Sequence, residues 1–169
     1  MKNKDQVEIT TYNPKYQKSF KDLNIEWIST YFVVEPNDVK ALDHAEEYII
    51  NKGGEIFSAI LNDEVLGVCS LIKGDRKEYD YELAKMAVSP KAQGKGVGLL
   101  LAESAIKWAT EKGASKIYLE SNTKLKPAIK LYEKLGFKEI TGISSSYGQS
   151  RYSNDAYAEF LNIPKNKTP

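Results

Sequence analysis

Val88–Ser89–Pro90–Lys91–Ala92–Gln93–Gly94–Lys95–Gly96–Val97–Gly98 joins an extended stretch to a long amphipathic one, and its reading decides the fold. Upstream, about Tyr79 to Val88 reads as a strand closed by Ser89–Pro90. Downstream, between Val97 and Lys112, the apolar residues Leu100, Leu101, Ile106 and Ala109 recur with helical spacing, and small Ala102 and Ala105 lie among them. Gly113 ends that run. Glycines between a strand and a helix let backbone N–H groups approach a bulky anion without interference from Cβ. The first helical turn adds unpaired donors and the positive end of the helix dipole. The segment therefore reads as a cradle for phosphate or pyrophosphate, with Lys91 and Lys95 beside it. The competing reading is a plain tight turn. Two nucleotide motifs fail here: a P-loop needs glycine and Ser/Thr where Ser89 and Gly96 stand, and a Gly-x-Gly-x-x-Gly from Gly94 needs glycine at Leu99.

Working outward, Val7 to Tyr12 alternates with period two and reads as a strand. Asn13–Pro14 gives an N-cap and a proline at the first helical position, opening a helix with Phe20, Leu23, Trp27 and Ile28 on one face. Glu35–Pro36 interrupts that pattern, and Asp43 with Glu46 resembles a capping box for a short helix through Ile50. Glu55–Leu61 and Val65–Lys73 flank Asn62–Asp63–Glu64 as a hairpin, and a turn at Gly74–Asp75 leads into the strand that ends at Val88. Beyond the long helix come a strand from Lys116 to Ser121, a helix from Pro127 to Leu135 stopped by Gly136, and strands at Phe137–Ile140 and Tyr152–Leu161. This order predicts an α+β (mixed α/β) fold, with one central mixed sheet and helices on both faces. Residues 1–163 form a single domain in this reading, and 164–169 a flexible tail. A uniformly parallel sheet does not fit the hairpin half.

Composition narrows the chemistry. The chain has 169 residues with 24 Lys+Arg against 23 Asp+Glu, so a dedicated nucleic-acid partner is not expected. No apolar run is long enough to span a membrane, and Met1–Asp5 is polar with no apolar stretch behind it, so neither a membrane partner nor a signal peptide is expected. One cysteine, Cys69, and one histidine, His44, exclude an internal disulfide and a four-ligand Cys/His zinc site. They leave His44 alone to serve any Ser–His–Asp triad. His44 sits in the polar run Asp43–His44–Ala45–Glu46–Glu47, and Cys69 on an apolar strand reads as packing. A lone cysteine fits a cytoplasmic location.

Two motifs carry a resemblance. Gln93-x-x-Gly96-x-Gly98 matches the pattern Gln/Arg-x-x-Gly-x-Gly/Ala, preceded by Met86–Ala87–Val88–Ser89–Pro90. Downstream, Ala128–Ile129–Lys130–Leu131–Tyr132–Glu133–Lys134–Leu135–Gly136–Phe137 matches Ala-x-x-Leu-Tyr-x-x-x-Gly-Phe. On these residues the chain resembles the GNAT N-acetyltransferase superfamily, sharply from about Gly54 to Ile140 and loosely outside that span.

The resemblance implies a strand pair that splays apart, with acetyl-CoA as cosubstrate between the strand ending at Val88 and that ending at Ser121, and no metal. It assigns the backbone of Met86 and Val88 to the pantetheine, and Gln93, Gly94, Lys95, Gly96, Val97 and Gly98 to the pyrophosphate. Lys91, Lys95, Lys126 and Lys130 are candidates for the adenosine 3′-phosphate, or are solvated surface lysines. Many relatives place Asn three residues before the motif alanine; here that residue is Leu125, and Asn122 is the substitute candidate for the polar contact.

Tyr132 matches the tyrosine that acts as general acid beside the CoA sulfur; its competing reading is a core aromatic on the Ala128–Leu131–Tyr132–Leu135 face. Glu82 stands where several such enzymes place the base, and its competing reading is a surface or salt-bridged glutamate. Strict alternation sets Glu82 on one face with Ala84, Met86 and Val88, and a bulge near Ala84–Lys85 changes that face.

Acceptor specificity in the superfamily comes from the N-terminal helices and C-terminal strands. Those segments hold Glu26, Trp27, Tyr31, Phe32 and Glu35, then Tyr147, Arg151, Tyr152 and Asp155. Carboxylates with aromatics suit a cationic amine. The expected activity is acetyl-CoA-dependent transfer to a primary amine of a small molecule or peptide. The alternatives are a catalytically weak acyl-CoA-binding or sensing module and a phosphate-binding regulator. Homodimers are frequent in the superfamily, and no feature of this sequence demands one.

Overall fold

The computed structural model describes residues 6–74, 77–140 and 156–164. Strand β1 covers Glu8–Thr10. Asn13 then caps the chain as its spacing predicts: its Oδ1 accepts the Lys15 N–H at 3.0 Å, and Pro14 opens a single 3-10 turn that runs into helix α1, Gln17–Tyr31. The face of α1 is narrower than expected. Phe20, Asn24 and Ile28 are buried one above another, while Leu23 and Trp27 pack partly buried at their sides.

Pro36 begins a helix rather than merely interrupting one. Helix α2, Pro36–Asp43, has its first turn closed by the Asp38 side chain, whose Oδ2 accepts the Glu35 N–H at 2.9 Å. The capping box thus lies at Glu35/Asp38. Asp43 is instead the last residue of α2 and pairs with Lys21, and Glu46 begins a π-helical turn to Ile50 in which the Asn51 N–H reaches the Glu46 carbonyl.

Strands β2, Glu55–Leu61, and β3, Glu64–Ile72, form the expected hairpin. Asn62 and Asp63 carry φ of 49° and 63°, the left-handed pair that lets a two-residue turn follow the strand twist. The remaining elements are β4 (Tyr81–Val88), α3 (Val97–Glu111), β5 (Lys116–Asn122), α4 (Lys126–Leu135), β6 (Lys138–Ile140) and β7 (Ala156–Asn162). Among the described residues they make one sheet ordered β1-β2-β3-β4-β5-β7-β6, antiparallel throughout except for β4 beside β5.

Helices cover both faces of this α+β sheet. On one face α3 buries Val97, Leu101, Ala102, Ala105 and Ala109 against Phe57, Leu71, Leu83, Ile117 and Leu119. Leu100, expected on that face, is 40% exposed, because Val97 rather than Leu100 begins the inward stripe. Gly67 of β3 lets the helix sit close: a Cβ there would lie 2.9 Å from Val97 Cγ1. Cys69 is fully buried on this face, with Sγ 3.7 Å from the Leu101 carbonyl, and burial pushes its thiol far above the ordinary range. On the other face α1 and α2 bury Phe20, Ile28 and Leu42 against Ile56, Val68 and Ala87.

Candidate active site

The only parallel pairing among the described strands is short. Tyr81 faces Ile117 and Glu82 faces Tyr118, and there the β4–β5 register ends although both strands continue. A carboxylate ties their starting ends together. Asp80 Oδ2 accepts the N–H groups of Ser115 at 2.8 Å and Lys116 at 3.0 Å, and the Asp80 N–H donates to the Lys116 carbonyl at 3.0 Å. The bond from Lys116 does most to hold the Asp80 carboxyl below its usual range. The two strands are thus joined at one end and diverge at the other.

A cavity of about 660 Å³ fills the divergence. Its β4 wall runs from Leu83 to Met86 and includes Val88, and its β5 wall is Glu120 and Ser121. Gln93, Gly94, Gly96 and Gly98 rim it at the start of α3, and Pro127, Ala128, Leu131 and Tyr132 of α4 close it on that side. Asn24, Trp27, Ile28 and Tyr31 of α1 close it on the other. Gly94 and Gly96 have φ of 82° and 75°, and the space where their Cβ atoms would stand is open. Backbone there can approach a large anion, and β4 beyond Glu82 offers an edge that β5 does not pair, suited to an extended amide chain.

A bulge sets what each face of β4 presents. The β3 register steps from Val68↔Ala87 to Ser70↔Ala84, so Lys85 and Met86 together stand opposite Cys69, and Lys85 has φ of 54°. Met86 and Val88 keep to the α3 face. Glu82 does not share it: its partner Ile72 packs in the α1 cluster, and cross-strand partners share a face. Strict alternation would have grouped all three; the extra residue separates them. Lys85 turns to the α1 side, where its Nζ meets Asp38 Oδ1 at 3.0 Å with side chains 9% and 3% exposed. Burial pulls that ammonium below its ordinary range, opposed by the charges of Glu82 and Glu35. Removing one member of such a buried pair costs about 3–5 kcal/mol.

The other candidates fall into place around this frame. Tyr132 lines the cavity, half-buried, with its ring 5.8 Å from that of Phe137 in an edge-on contact. Its carbonyl accepts the Phe137 N–H at 3.0 Å across Gly136, whose φ of 96° ends α4, so the Gly–Phe pair fixes the turn that carries Tyr132. Val97 lines the wall, whereas Lys95 is exposed and off it. Asn122 is buried but does not line the cavity; its Oδ1 accepts the Lys124 N–H at 2.9 Å and shapes the turn into α4.

Glu82 also stands off the wall, at the last paired position of the wedge. Tyr31 lines the cavity and is 53% exposed. Glu26 is exposed and off the wall, and Glu35 caps α2 beside the Lys85 pair. Asp155, with Tyr147, Arg151 and Tyr152, lies outside the described residues. Lys91 is drawn towards Glu64 at 3.4 Å, Lys126 and Lys130 are exposed, and besides Lys85 on the β4 wall the lysines that reach the cavity are Lys124 and Lys134.

Sequence reasoning passed over Lys85, Glu120 and Asn24. The available signal for Lys85 was a charge inside the apolar run Leu83–Val88, and for Glu120 a charge two residues after Tyr118 on a buried strand.

Comparison with known proteins agrees with this geometry. Residues 20–137, more than half of the chain, match the model of the acetyltransferase (GNAT) family. An uncharacterized N-acetyltransferase of Escherichia coli K12, YjgM, is 33% identical over 133 residues, covering 76% of this chain and 77% of that one. A GNAT-family acetyltransferase structure from Staphylococcus aureus Mu50 superposes with a TM-score of 0.80 at 23% identity, covering 94% of this chain and all of that one. The spermidine N-acetyltransferase of Vibrio cholerae, solved with CoA and spermine, does so with a TM-score of 0.71 at 21% identity, covering 93% of this chain and 95% of that one. With its strands parted at a glycine-rimmed wedge and a family match across the segment that builds it, the chain belongs to the GNAT acetyltransferase family.

Proposed function

We propose that the protein transfers an acetyl group from acetyl-CoA directly to a primary amine of a small molecule or peptide. The observation that carries this reading is the wedge itself: an unpaired β4 edge leads to the glycine turn at one end, and Tyr132 stands on its wall. Acetyl-CoA supplies the acetyl group already activated as a thioester. The backbone from Gln93 to Gly98 holds the pyrophosphate, and β4 N–H groups near Met86 and Val88 pair the pantetheine and polarise the carbonyl.

The acceptor arrives as an ammonium from the α1 side, where the carboxylates Glu35, Asp38, Glu82 and Glu120 outnumber Lys85 and the rim lysine Lys124, and where Trp27 and Tyr31 add aromatic faces. Glu82 removes a proton from it through water. The neutral amine then forms the C–N bond as the C–S bond breaks, and Tyr132 gives its proton to the departing sulfur and recovers one from the new amide nitrogen. A cationic amine is therefore the favoured acceptor class.

Free-thiol release from acetyl-CoA against a panel of amines, amino acids and short peptides tests the reading. The expected result is acceptor-dependent release that Tyr132→Phe lowers about 100-fold or more in kcat while acetyl-CoA affinity changes by less than about threefold. The position of Glu82 off the cavity wall favours one alternative, a weakly catalytic acyl-CoA-binding or sensing module. Binding of acetyl-CoA with no thiol release for any acceptor would select that alternative.

A further inference from the structure

The bulge in β4 carries a buried charge that the reaction outlined above does not use. Lys85 is the one non-glycine residue outside the β2–β3 turn, among those described, with a left-handed backbone. Such a conformation persists in a bulky residue only where its surroundings over-determine it. What determines it here is the pair with Asp38 across the α1 face at 3.0 Å, both side chains almost wholly removed from solvent. Asp38 is itself fixed, because its other oxygen accepts the Glu35 N–H at the start of α2.

The ammonium lies on the face of the wedge that presents Glu82. From β4 it meets the charge of Glu82, and from α2 those of Asp38 and Glu35. On β5 the same face carries Tyr118, the partner of Glu82, and Glu120 two residues further on. On β3 the same face carries Ser70 and the apolar Ile72, α1 contributes Asn24, Trp27, Ile28 and Tyr31 but no charge on the cavity wall, and the exposed lysines Lys124 and Lys134 reach the cavity rim from the α4 side. Lys85 is the buried cation on this face, and a cation near a carboxylate favours its charged form.

We propose that Lys85 is a positioning residue whose buried charge, anchored on Asp38, keeps Glu82 ionised and ready to accept the proton of the incoming ammonium. The inference rests on the acetyl-transfer reading for its catalytic meaning, although the charge relation between Lys85 and Glu82 can be measured without turnover. Atoms balance simply: Lys85 neither gains nor loses a proton, and Glu82 gains the one that the ammonium sheds.

The test is an NMR titration of the Glu82 side-chain carboxyl, assigned by the signal lost in Glu82→Gln, in the wild type, Lys85→Gln and Lys85→Arg. The expected result is a Glu82 midpoint raised by about one pH unit or more in Lys85→Gln and restored in Lys85→Arg. The acidic limb of kcat/KM against pH should move up by the same amount. Where Lys85→Gln does not fold because Asp38 is left unpaired, Lys85→Gln with Asp38→Asn is compared with Lys85→Arg with Asp38→Asn. The asparagine can still accept the Glu35 N–H and the arginine stays charged without its partner, so the comparison isolates the charge at position 85.

A Glu82 midpoint that is the same with and without Lys85 overturns the proposal. So does a fall in rate that follows lost stability while the pH limb stays in place. A shifted Glu82 midpoint in a protein that releases no thiol with any amine supports the charge relation and removes the acetyl-transfer reading instead.

Discussion

Glu159 stands in the middle of β7, between Leu119 of β5 and Glu139 of β6, and is 4% exposed. Its Oε2 finds no hydrogen-bond partner among the described residues. Burial, then the charges of Glu133 and Glu139, push its carboxyl up to about 7 from an ordinary 4.5. The folded protein therefore holds this proton more tightly than the unfolded chain, and the carboxyl costs stability as pH rises between those two values. At about 1.4 kcal/mol per pH unit, Glu159→Gln should stabilise the protein by up to about 3 kcal/mol above neutral pH, with the gain gone in mild acid. Urea denaturation of both proteins at pH 8 and pH 4.5 measures the difference.

Residues of this kind mark the limit of sequence reading. Tyr132 could be singled out because its motif is local and ends in Gly136–Phe137, the pair that locks its turn. Lys85 could not, since its partner lies on α2 and its direction depends on one extra residue in β4.

At the scale of elements, the approach of α3 to β3 depends on Gly67. An added methyl meets Val97 Cγ1 at 2.9 Å and Leu101 Cδ1 at 3.0 Å, and the branched Val97 cannot swing away freely. Gly67→Ala should cost about 1–3 kcal/mol, read as a lowered midpoint in thermal unfolding. It should also weaken acetyl-CoA binding, because Val97 is the first residue of the helix that the glycine turn feeds.

Elements with strong punctuation were legible. The Asn13–Pro14 cap and the glycine stop at Gly136 stand where the sequence places them, and the hairpin turn is one residue shorter than expected, Asn62–Asp63, because Glu64 already pairs with Leu61. Pro36 was harder: a proline ends one helix and suits the first turn of the next equally well, and only the Asp38 side chain, bonded back to Glu35, shows which applies. The π-helical turn at Glu46–Ile50 has no simple sequence signal, since its spacing mimics an ordinary helical start.

Across the whole molecule, the wedge separates a hairpin half built on β1–β3 from a half built on β5–β7, and only two residue pairs of parallel ladder join β4 to β5. A ligand lying between those strands bridges the halves and stabilises the folded state by mass action. Acetyl-CoA at about 100 times its Kd should add about 2.7 kcal/mol. The measurement is thermal unfolding with acetyl-CoA and with ATP. A shift with ATP alone would point to a nucleotide regulator in place of the transferase.

The mixed sheet itself follows from hairpin spacing and helix order. The splay does not, because it depends on where a ladder stops and on Asp80, whose bonds to Ser115 and Lys116 span 35 and 36 positions of chain. It entered the sequence reading only through the resemblance carried by the two motifs.

The burial of Cys69 bears on how such measurements can be made. The chain holds a single cysteine, shut beneath α3. The folded enzyme thus adds almost nothing to a colorimetric count of released CoA, and no blocking or mutation of the protein is needed before the assay. Conversely, any slow stoichiometric signal from enzyme without acetyl-CoA times the parting of α3 from the sheet. The molecule carries its own reporter of local opening, silent while the site is intact.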